Sequence, residues 1–193
     1  FGQISRPGDI KYKDLNHDGV IDSNDQAPIG YNPVPEMTFS LAAGLNWKGI
    51  DFSILLQGAA RSSIYLQQDI AWDNFWGNYY EEHIGRWTPE TAATATYPRF
   101  TKAATPAHPN YYKSDYWLKD SKYLRLKNIQ LGYTIPRKLL KKFGVRSLRV
   151  YANAYNLFTW DNVKKVDPES SNNSNGQFYP QQKVINFGIN LNF

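Results

Sequence analysis

The residues that decide the fold stand at 37–48: Met37-Thr38-Phe39-Ser40-Leu41-Ala42-Ala43-Gly44-Leu45-Asn46-Trp47-Lys48. The odd positions carry Met37, Phe39, Leu41, Ala43, Leu45 and Trp47, and the even ones carry Thr38, Ser40, Ala42, Gly44, Asn46 and Lys48. Successive side chains in a strand point to opposite faces, so this period of two sets one apolar face against one small or polar face. A short turn at Gly49-Ile50 leads into Asp51–Gly58, where Phe52, Ile54 and Leu56 continue the apolar side. The stretch 37–66 reads as a hairpin.

The same alternation recurs downstream. In Tyr123–Ile135, Leu124 and Leu126 lie on one parity and Ile129, Leu131 and Tyr133 on the other. A strand changes faces only through an inserted residue, so a β-bulge is expected near Lys127-Asn128 unless the upper part of the strand projects beyond the buried zone. Ser147–Phe158 sets Leu148, Val150, Ala152 and Ala154 against Arg149, Tyr151, Asn153 and Tyr155. In the last segment Ile185, Phe187, Ile189, Leu191 and Phe193 alternate with Asn186, Gly188, Asn190 and Asn192. Pro136–Phe143 reads as a short helix, with Pro in its first turn and Gly144 behind it.

The connections are unequal. The hairpin turn is about two residues, whereas 66–121 and 161–181 are long and rich in aromatics or Asn. Loops of that length are uncommon in a compact soluble domain, and short turns at one end with long loops at the other are the pattern of an outer-membrane barrel. If the last strand ends on the periplasmic side, Pro136–Arg146 is periplasmic, and 1–36, 67–121 and 161–181 are extracellular. Residues 122–193 then hold the terminal strands. A soluble sandwich would carry more charge on its outer face than the Asn, Gly and Ser found here, whereas a water-filled or plugged lumen suits them.

Composition agrees with this reading. The 193 residues include 14 Tyr, 10 Phe and 6 Trp, no Cys and a net charge of +5. Absence of Cys excludes disulfides, thiolate metal sites and Cys nucleophiles. No run of ~18 apolar residues is present, which excludes a transmembrane helix but not barrel strands. The start at Phe1, without Met or a signal segment, and the finish on Phe193 lead us to expect the C-terminal portion of a longer polypeptide.

Asp14-Leu15-Asn16-His17-Asp18-Gly19-Val20-Ile21-Asp22-Ser23-Asn24-Asp25 follows the spacing of an EF-type calcium loop. Asp14, Asn16 and Asp18 stand at the first three ligand positions, Gly19 at the sharp turn, Val20 at the carbonyl position, and Asp22 and Asp25 at the last two. A hard cation that takes six to eight oxygens fits this set. Asp25 is shorter than the usual Glu, so bidentate reach and affinity are reduced. Flanking helices are not expected, and a structural Ca²⁺ that ties down an external loop is the metal reading. An Asx-rich turn that satisfies its own backbone is the alternative.

The long loop carries Trp72, Trp76, Tyr79, Tyr80, Tyr111, Tyr112 and Trp117, which are candidates for ligand or partner contact. A local core under the loop and a membrane-interface girdle are the competing readings. Arg137, Lys138, Lys141, Lys142 and Arg146 form a basic cluster too short, and too poor in aromatics, for nucleic acid. It reads as a solvated turn. His17, His83 and His108 are scattered, and Glu81-Glu82 would point apart in a strand, so no catalytic or cofactor-binding set is recognised and no enzyme is expected.

Several segments together resemble the SusC/RagA-type TonB-dependent outer-membrane transporters of Bacteroidetes. They are Pro7-Gly8-Asp9-Ile10-Lys11-Tyr12 with the acidic loop and Ile29-Gly30, Arg86-Trp87-Thr88-Pro89-Glu90, Tyr97-Pro98-Arg99-Phe100, the strand from Ser121 to Tyr133, Asn156-Leu157-Phe158-Thr159 and the terminal strand. The resemblance covers nearly the whole chain. It implies an all-β fold: the C-terminal five to six antiparallel strands of a 22-stranded transmembrane β-barrel with long extracellular loops. It further implies import of glycans, oligosaccharides or other bulky nutrients with a SusD-like surface lipoprotein as lid. The remaining partners would be the plug and N-terminal barrel, the TonB complex and outer-membrane lipid. Phe187, Ile189, Leu191 and Phe193 look like the signal read by the barrel-assembly machinery. A soluble calcium-stabilised β-sandwich that binds carbohydrate is the alternative.

Overall fold

A computed structural model of the chain describes residues 5–102, 107–164, 166–170 and 181–193. Its strands are β1 (Met37–Trp47), β2 (Ile50–Ala60), β3 (Ser63–Tyr65), β4 (Leu118–Asp120), β5 (Tyr123–Thr134), β6 (Ser147–Asp161) and β7 (Val184–Asn192). The five long strands form one antiparallel sheet in the order β1-β2-β5-β6-β7, and β3 pairs with β4 in a short ribbon. The chain divides into two compact units, one built around the long sheet and one around 64–119 together with the residues before Asn32.

In the sheet, the cross-strand register carries the alternation from strand to strand. Leu45 pairs with Phe52, Phe52 with Leu131, Leu131 with Ala152, and Ala152 with Phe187. One face is therefore continuously apolar from edge to edge. That face is open: Leu41 is 62% and Phe187 83% exposed. The opposite face is polar and internally paired. Arg149 Nε donates to Asp51 Oδ1 at 2.9 Å, and Asn186 Nδ2 donates to Asn153 Oδ1 at 3.0 Å. Arg125 is buried there and reaches Thr159 at 2.9 Å, Asp167 at 2.8 Å and Glu169 at 3.2 Å, while Lys127 shares Glu169 at 3.0 Å. The segment after β6 is thus tied back to the polar face.

The hairpin turn is Lys48-Gly49, one residue earlier than the sequence reading, because Ile50 already pairs with Trp47 and belongs to the apolar parity of β2. Both turn residues have left-handed backbones, φ 47° and 89°, the two positive values that a two-residue turn matching strand twist demands. Likewise β2 runs to Ala60 and is followed by the separate strand β3, so the hairpin proper ends before 66. The bulge is present. Leu55 pairs with Asn128 but Leu56 with Leu126, which leaves Lys127 as the extra residue against β2. The β5–β6 register shifts at the same place, where Asn156 takes φ 50°. Arg137–Leu140 is helical, continues as a 3-10 turn over Lys141–Phe143, and stops at Gly144 with φ 70°.

Gly49 carries a sharp constraint, since Thr134 N donates to its carbonyl at 2.7 Å and an added Cβ would stand 2.7 Å from Thr134 O. In the full-length protein, Gly49→Val is expected to cost ~1–3 kcal/mol through backbone strain alone. The urea midpoint of unfolding should fall accordingly, while Lys48→Asn, which tolerates positive φ, should leave it unchanged or higher.

Candidate functional site

The unit containing 64–119 is organised by one buried carboxylate. Asp73 is 1% exposed and receives the Tyr111 hydroxyl on Oδ1 and Thr101 N on Oδ2, the latter at 3.0 Å. Tyr97 OH receives Asp73 N at 3.1 Å and donates to Ala71 O at 2.9 Å. Around this centre Trp72 lies 4.7 Å from Tyr111 between ring centroids, and Trp117 Nε1 donates to Asn110 O at 2.8 Å. His83 is buried, its Nδ1 accepting from Tyr80 N at 3.0 Å and its Nε2 meeting Ala71 O at 3.1 Å. Both ring nitrogens are engaged, and the Nδ1 bond to Tyr80 N caps a 3-10 helix, Glu81–Gly85. Glu81 and Glu82 lie in that helix, whose first turn Tyr80 and His83 cap.

The segment before the acidic loop is anchored into the same unit. Arg99 Nε meets Asp9 Oδ1 at 2.7 Å and Nη2 meets Oδ2 at 3.1 Å, a two-pronged pair, and Arg99 N donates to Gly8 O at 2.8 Å. Ile10 N donates to Asn110 Oδ1 at 2.9 Å and Tyr12 OH to Pro109 O at 2.6 Å. Gly8 has φ 86° and the Trp87 ring against it, 2.5 Å from where a Cβ would stand. Three motifs far apart in sequence, Pro7–Tyr12, Arg86–Glu90 and Tyr97–Phe100, thus converge. Burial raises the Tyr12 and Tyr116 hydroxyls to about 12 and keeps Tyr97 and Tyr111 protonated further still.

Of the seven candidate contact aromatics, Trp72, Tyr111 and Trp117 are buried in this core. Trp76 is 84% exposed, Tyr79 and Tyr80 are exposed, and Tyr112 is half-buried, 5.9 Å from Tyr12 between ring centroids. The local-core reading describes the first three, and Trp76, Tyr79 and Tyr80 remain on the surface. Asp73, Asn110 and the pairing of Arg99 with Asp9 were missed. They are contacts between distant segments with no spacing signature.

In the acidic loop the carboxylates serve the backbone. Asp14 accepts from His17 N at 2.6 Å and Gly19 N at 2.9 Å, Asp18 from Val20 N at 2.8 Å, and Asp22 from Asn24 N at 2.7 Å. Asp25 accepts from Leu15 N at 2.7 Å and Asp22 N at 2.8 Å, and these bonds hold its carboxyl below the usual carboxylate range. The Asn16 amide donates to Asp18 at 2.8 Å. Asp14 also touches Asp25, so the first and last loop positions meet. Among the described residues no three His, Cys, Asp or Glu side chains are grouped to hold a metal. The donor chemistry fits a hard cation, and the closed ends fit the motif. The oxygens themselves are turned onto N–H groups of the loop. Val20 and Ile21 are exposed.

Phe187, Ile189 and Leu191 stand exposed on β7 at the edge of the sheet, and Phe193, one residue past that strand, is exposed as well.

Two outcomes are expected for the loop unit in the intact protein. Asp73→Ala leaves the Tyr111 hydroxyl and Thr101 N without their acceptor, at ~1–3 kcal/mol for each group. It should therefore speed proteolytic nicking within 64–119, with Tyr111→Phe milder. His108 Nδ1 accepts from Asn110 N at 3.1 Å, and burial, aided by the Arg99 guanidinium, lowers its pKa below 6.5. A neutral ring favoured by folding gives stability that is present above 6.5 and lost as pH falls through the lowered value. Protease resistance of the loop unit should decline on that acid side, and His108→Asn should flatten the dependence.

No family model matches the chain. It is 30% identical to TonB-dependent receptor P26 of Formosa agariphila, over 96% of the chain and 20% of that protein. It is 26% identical to TonB-dependent receptor SusC of Bacteroides thetaiotaomicron, over 100% of the chain and 18% of that protein. Among solved structures it superposes on the RagAB peptide importer in its open-open state with a TM-score of 0.67, at 24% identity over 90% of the chain and 19% of that one. A second structure, of the RagAB peptide transporter, gives 0.69 at 23% identity over 89% and 19%. The chain spans about one fifth of the length of these relatives, and across nearly all of its own length it is similar to TonB-dependent receptors, SusC among them.

Proposed function

We propose that this chain forms the C-terminal arc of a 22-stranded outer-membrane barrel that imports bulky nutrients. The observation that carries the reading is the five-stranded sheet, apolar and open on one face, polar and ion-paired on the other, with unpaired edges at β1 and β7. In hydrocarbon every backbone group must be paired, so both edges would be received by strands from the rest of the receptor. Phe187, Ile189, Leu191 and Phe193 would then guide assembly. The alternative of a soluble sandwich needs a second sheet over the apolar face, and among the described residues the other ladder is only the short β3–β4 ribbon.

The whole receptor would work with a SusD-like surface lipoprotein as lid, and energy would reach its plug from the TonB complex. Trp76, Tyr79 and Tyr80 would meet that lid or the cargo. One structural neighbour is described as a peptide importer and one relative is SusC; glycan or oligosaccharide cargo is the reading we carry forward. Ca²⁺ would bind through Asp14, Asn16, Asp18, the Val20 carbonyl, Asp22 and Asp25 and fix the external loop. It would supply charge neutralisation where Asp14 and Asp25 meet.

Neighbouring residues of β1 test the membrane reading, because Ser40 and Leu41 point to opposite faces. In the full-length receptor Leu41→Arg should cost ~2–4 kcal/mol near the bilayer centre and prevent insertion, whereas Ser40→Arg should insert normally. Equal loss, or equal tolerance, contradicts a lipid-facing apolar face. For the cation, added calcium should raise the melting temperature of the intact receptor, and Asp14→Asn with Asp25→Asn should abolish the rise. A melting temperature indifferent to calcium refutes the site.

A further inference from the structure

The basic cluster between β5 and β6 has a chemistry of its own. Across Pro136–Arg146 there are five cations, Arg137, Lys138, Lys141, Lys142 and Arg146, and no carboxylate. All five are exposed, and none joins an ion pair among the described residues. A turn that was merely solvated would not also hold out large apolar groups. Here Leu139 is 65% and Phe143 76% exposed, four residues apart on successive turns, while Leu140 alone is buried.

The surroundings extend the pattern. Thr134 N bonds Gly49 O at 2.7 Å, Ile135 N bonds Leu148 O at 2.9 Å, and Arg146 N bonds Asn192 O at 2.8 Å, so the cluster shares one end of the sheet with the Lys48-Gly49 turn. Trp47 and Tyr133 are exposed at that end, and Lys48 Nζ lies 4.8 Å from the Trp47 ring centre. Aromatic residues with amphipathic rings, flanked by lysines, collect where hydrocarbon gives way to headgroups. The band of Trp47 and Tyr133 therefore places Leu139 and Phe143 next to a boundary at which their burial is favourable and five positive charges meet phosphates.

We propose that Arg137–Arg146 is an interfacial anchor that docks on anionic glycerophospholipid in the leaflet at the short-turn end of the barrel, with Leu139 and Phe143 inserted and the cations on phosphate. The occupant is a lipid surface and not an acidic protein, because the exposed apolar pair is continuous with the apolar face that the barrel reading already gives to lipid. The anchor rests on that reading. Each lysine or arginine near an anionic surface adds attraction that neutral lipid does not supply, and two apolar side chains alone give marginal insertion.

The test uses the full-length receptor in nanodiscs of phosphatidylcholine alone or of phosphatidylcholine mixed with phosphatidylglycerol. Phe143→Cys and Phe187→Cys variants carry a spin label, read by its relative accessibility to oxygen and to a water-soluble nickel chelate. At 187 the label should favour oxygen in both lipids. At 143 the oxygen-to-nickel ratio should rise at least about twofold in the anionic discs, and the rise should vanish when Lys138, Lys141 and Lys142 are replaced by Gln. A water-exposed label at 143 in anionic discs, with 187 in lipid, overturns the anchor and leaves the barrel standing. Equal insertion in both lipids overturns the role of the cations. A label at 143 shielded from both reagents shows a protein cover and also overturns the anchor. A water-exposed label at 187 instead condemns the barrel reading itself.

Discussion

A peptide group that loses water must find another hydrogen-bond partner, and the rest of this structure depends on that requirement. In the sheet, β2, β5 and β6 satisfy it on both sides, and β1 and β7 on only one. Strand pairing also transmits the side-chain pattern, because a register that sets Leu45 against Phe52 and Phe52 against Leu131 obliges every second residue to share a face. A slip of one residue in any ladder would put Asn or Ser among the apolar groups. The alternation and the pairing are thus one constraint seen twice, and the exposed apolar face is its result.

The two units solve opposite solvation problems. In the loop unit, apolar rings gather inward around Asp73, whose two carboxyl oxygens accept from a hydroxyl and a backbone N–H. In the sheet unit the apolar groups point out and the charges lie on the other face, where Arg125 is buried among Asp167, Glu169 and Thr159. Burial of Arg125 is sustained by two carboxylates, which meet its guanidinium at 2.8 and 3.2 Å. The bulge at Lys127 belongs to this arrangement. One extra residue brings its ammonium beside Arg125 onto Glu169 while Ile129 and Leu131 return to the apolar face.

Sequence made the sheet legible because alternation is a local signal repeated over many residues. The change of parity between Leu126 and Ile129 announced the bulge for the same reason. The turn was misplaced by one residue because Ile50 can be counted either as a turn residue or as the first apolar residue of β2, and only pairing with Trp47 decides. The loop unit was far less legible. Asp73 and Tyr111 are separated by a long stretch of chain, and nothing near either one marks the other. Trp72 and Trp76 look alike as sequence, yet one enters the core and the other stays in solvent. The spacing of Asp14, Asn16, Asp18, Asp22 and Asp25 was plain from the start. A carboxylate that can bond either an N–H or a cation carries no sign of which it serves.

The unequal connections divide the labour of the chain. A two-residue turn such as Lys48-Gly49 has no room for side-chain chemistry beyond its own geometry, so whatever that end does must fall to the one longer turn, Pro136–Arg146. The stretch 64–119 has length to spare, and length permits a core of its own: Asp9 with Arg99, Tyr12 with Pro109, Asp73 with Tyr111. Such a core ties distant segments of that unit together, which matters if exposed Trp76, Tyr79 and Tyr80 are to present a fixed surface. An ordered surface loses less entropy on contact than a floppy one. The sheet, by contrast, gains its order from strands on both sides, and its two open edges make it the part of the chain that depends most on its neighbours.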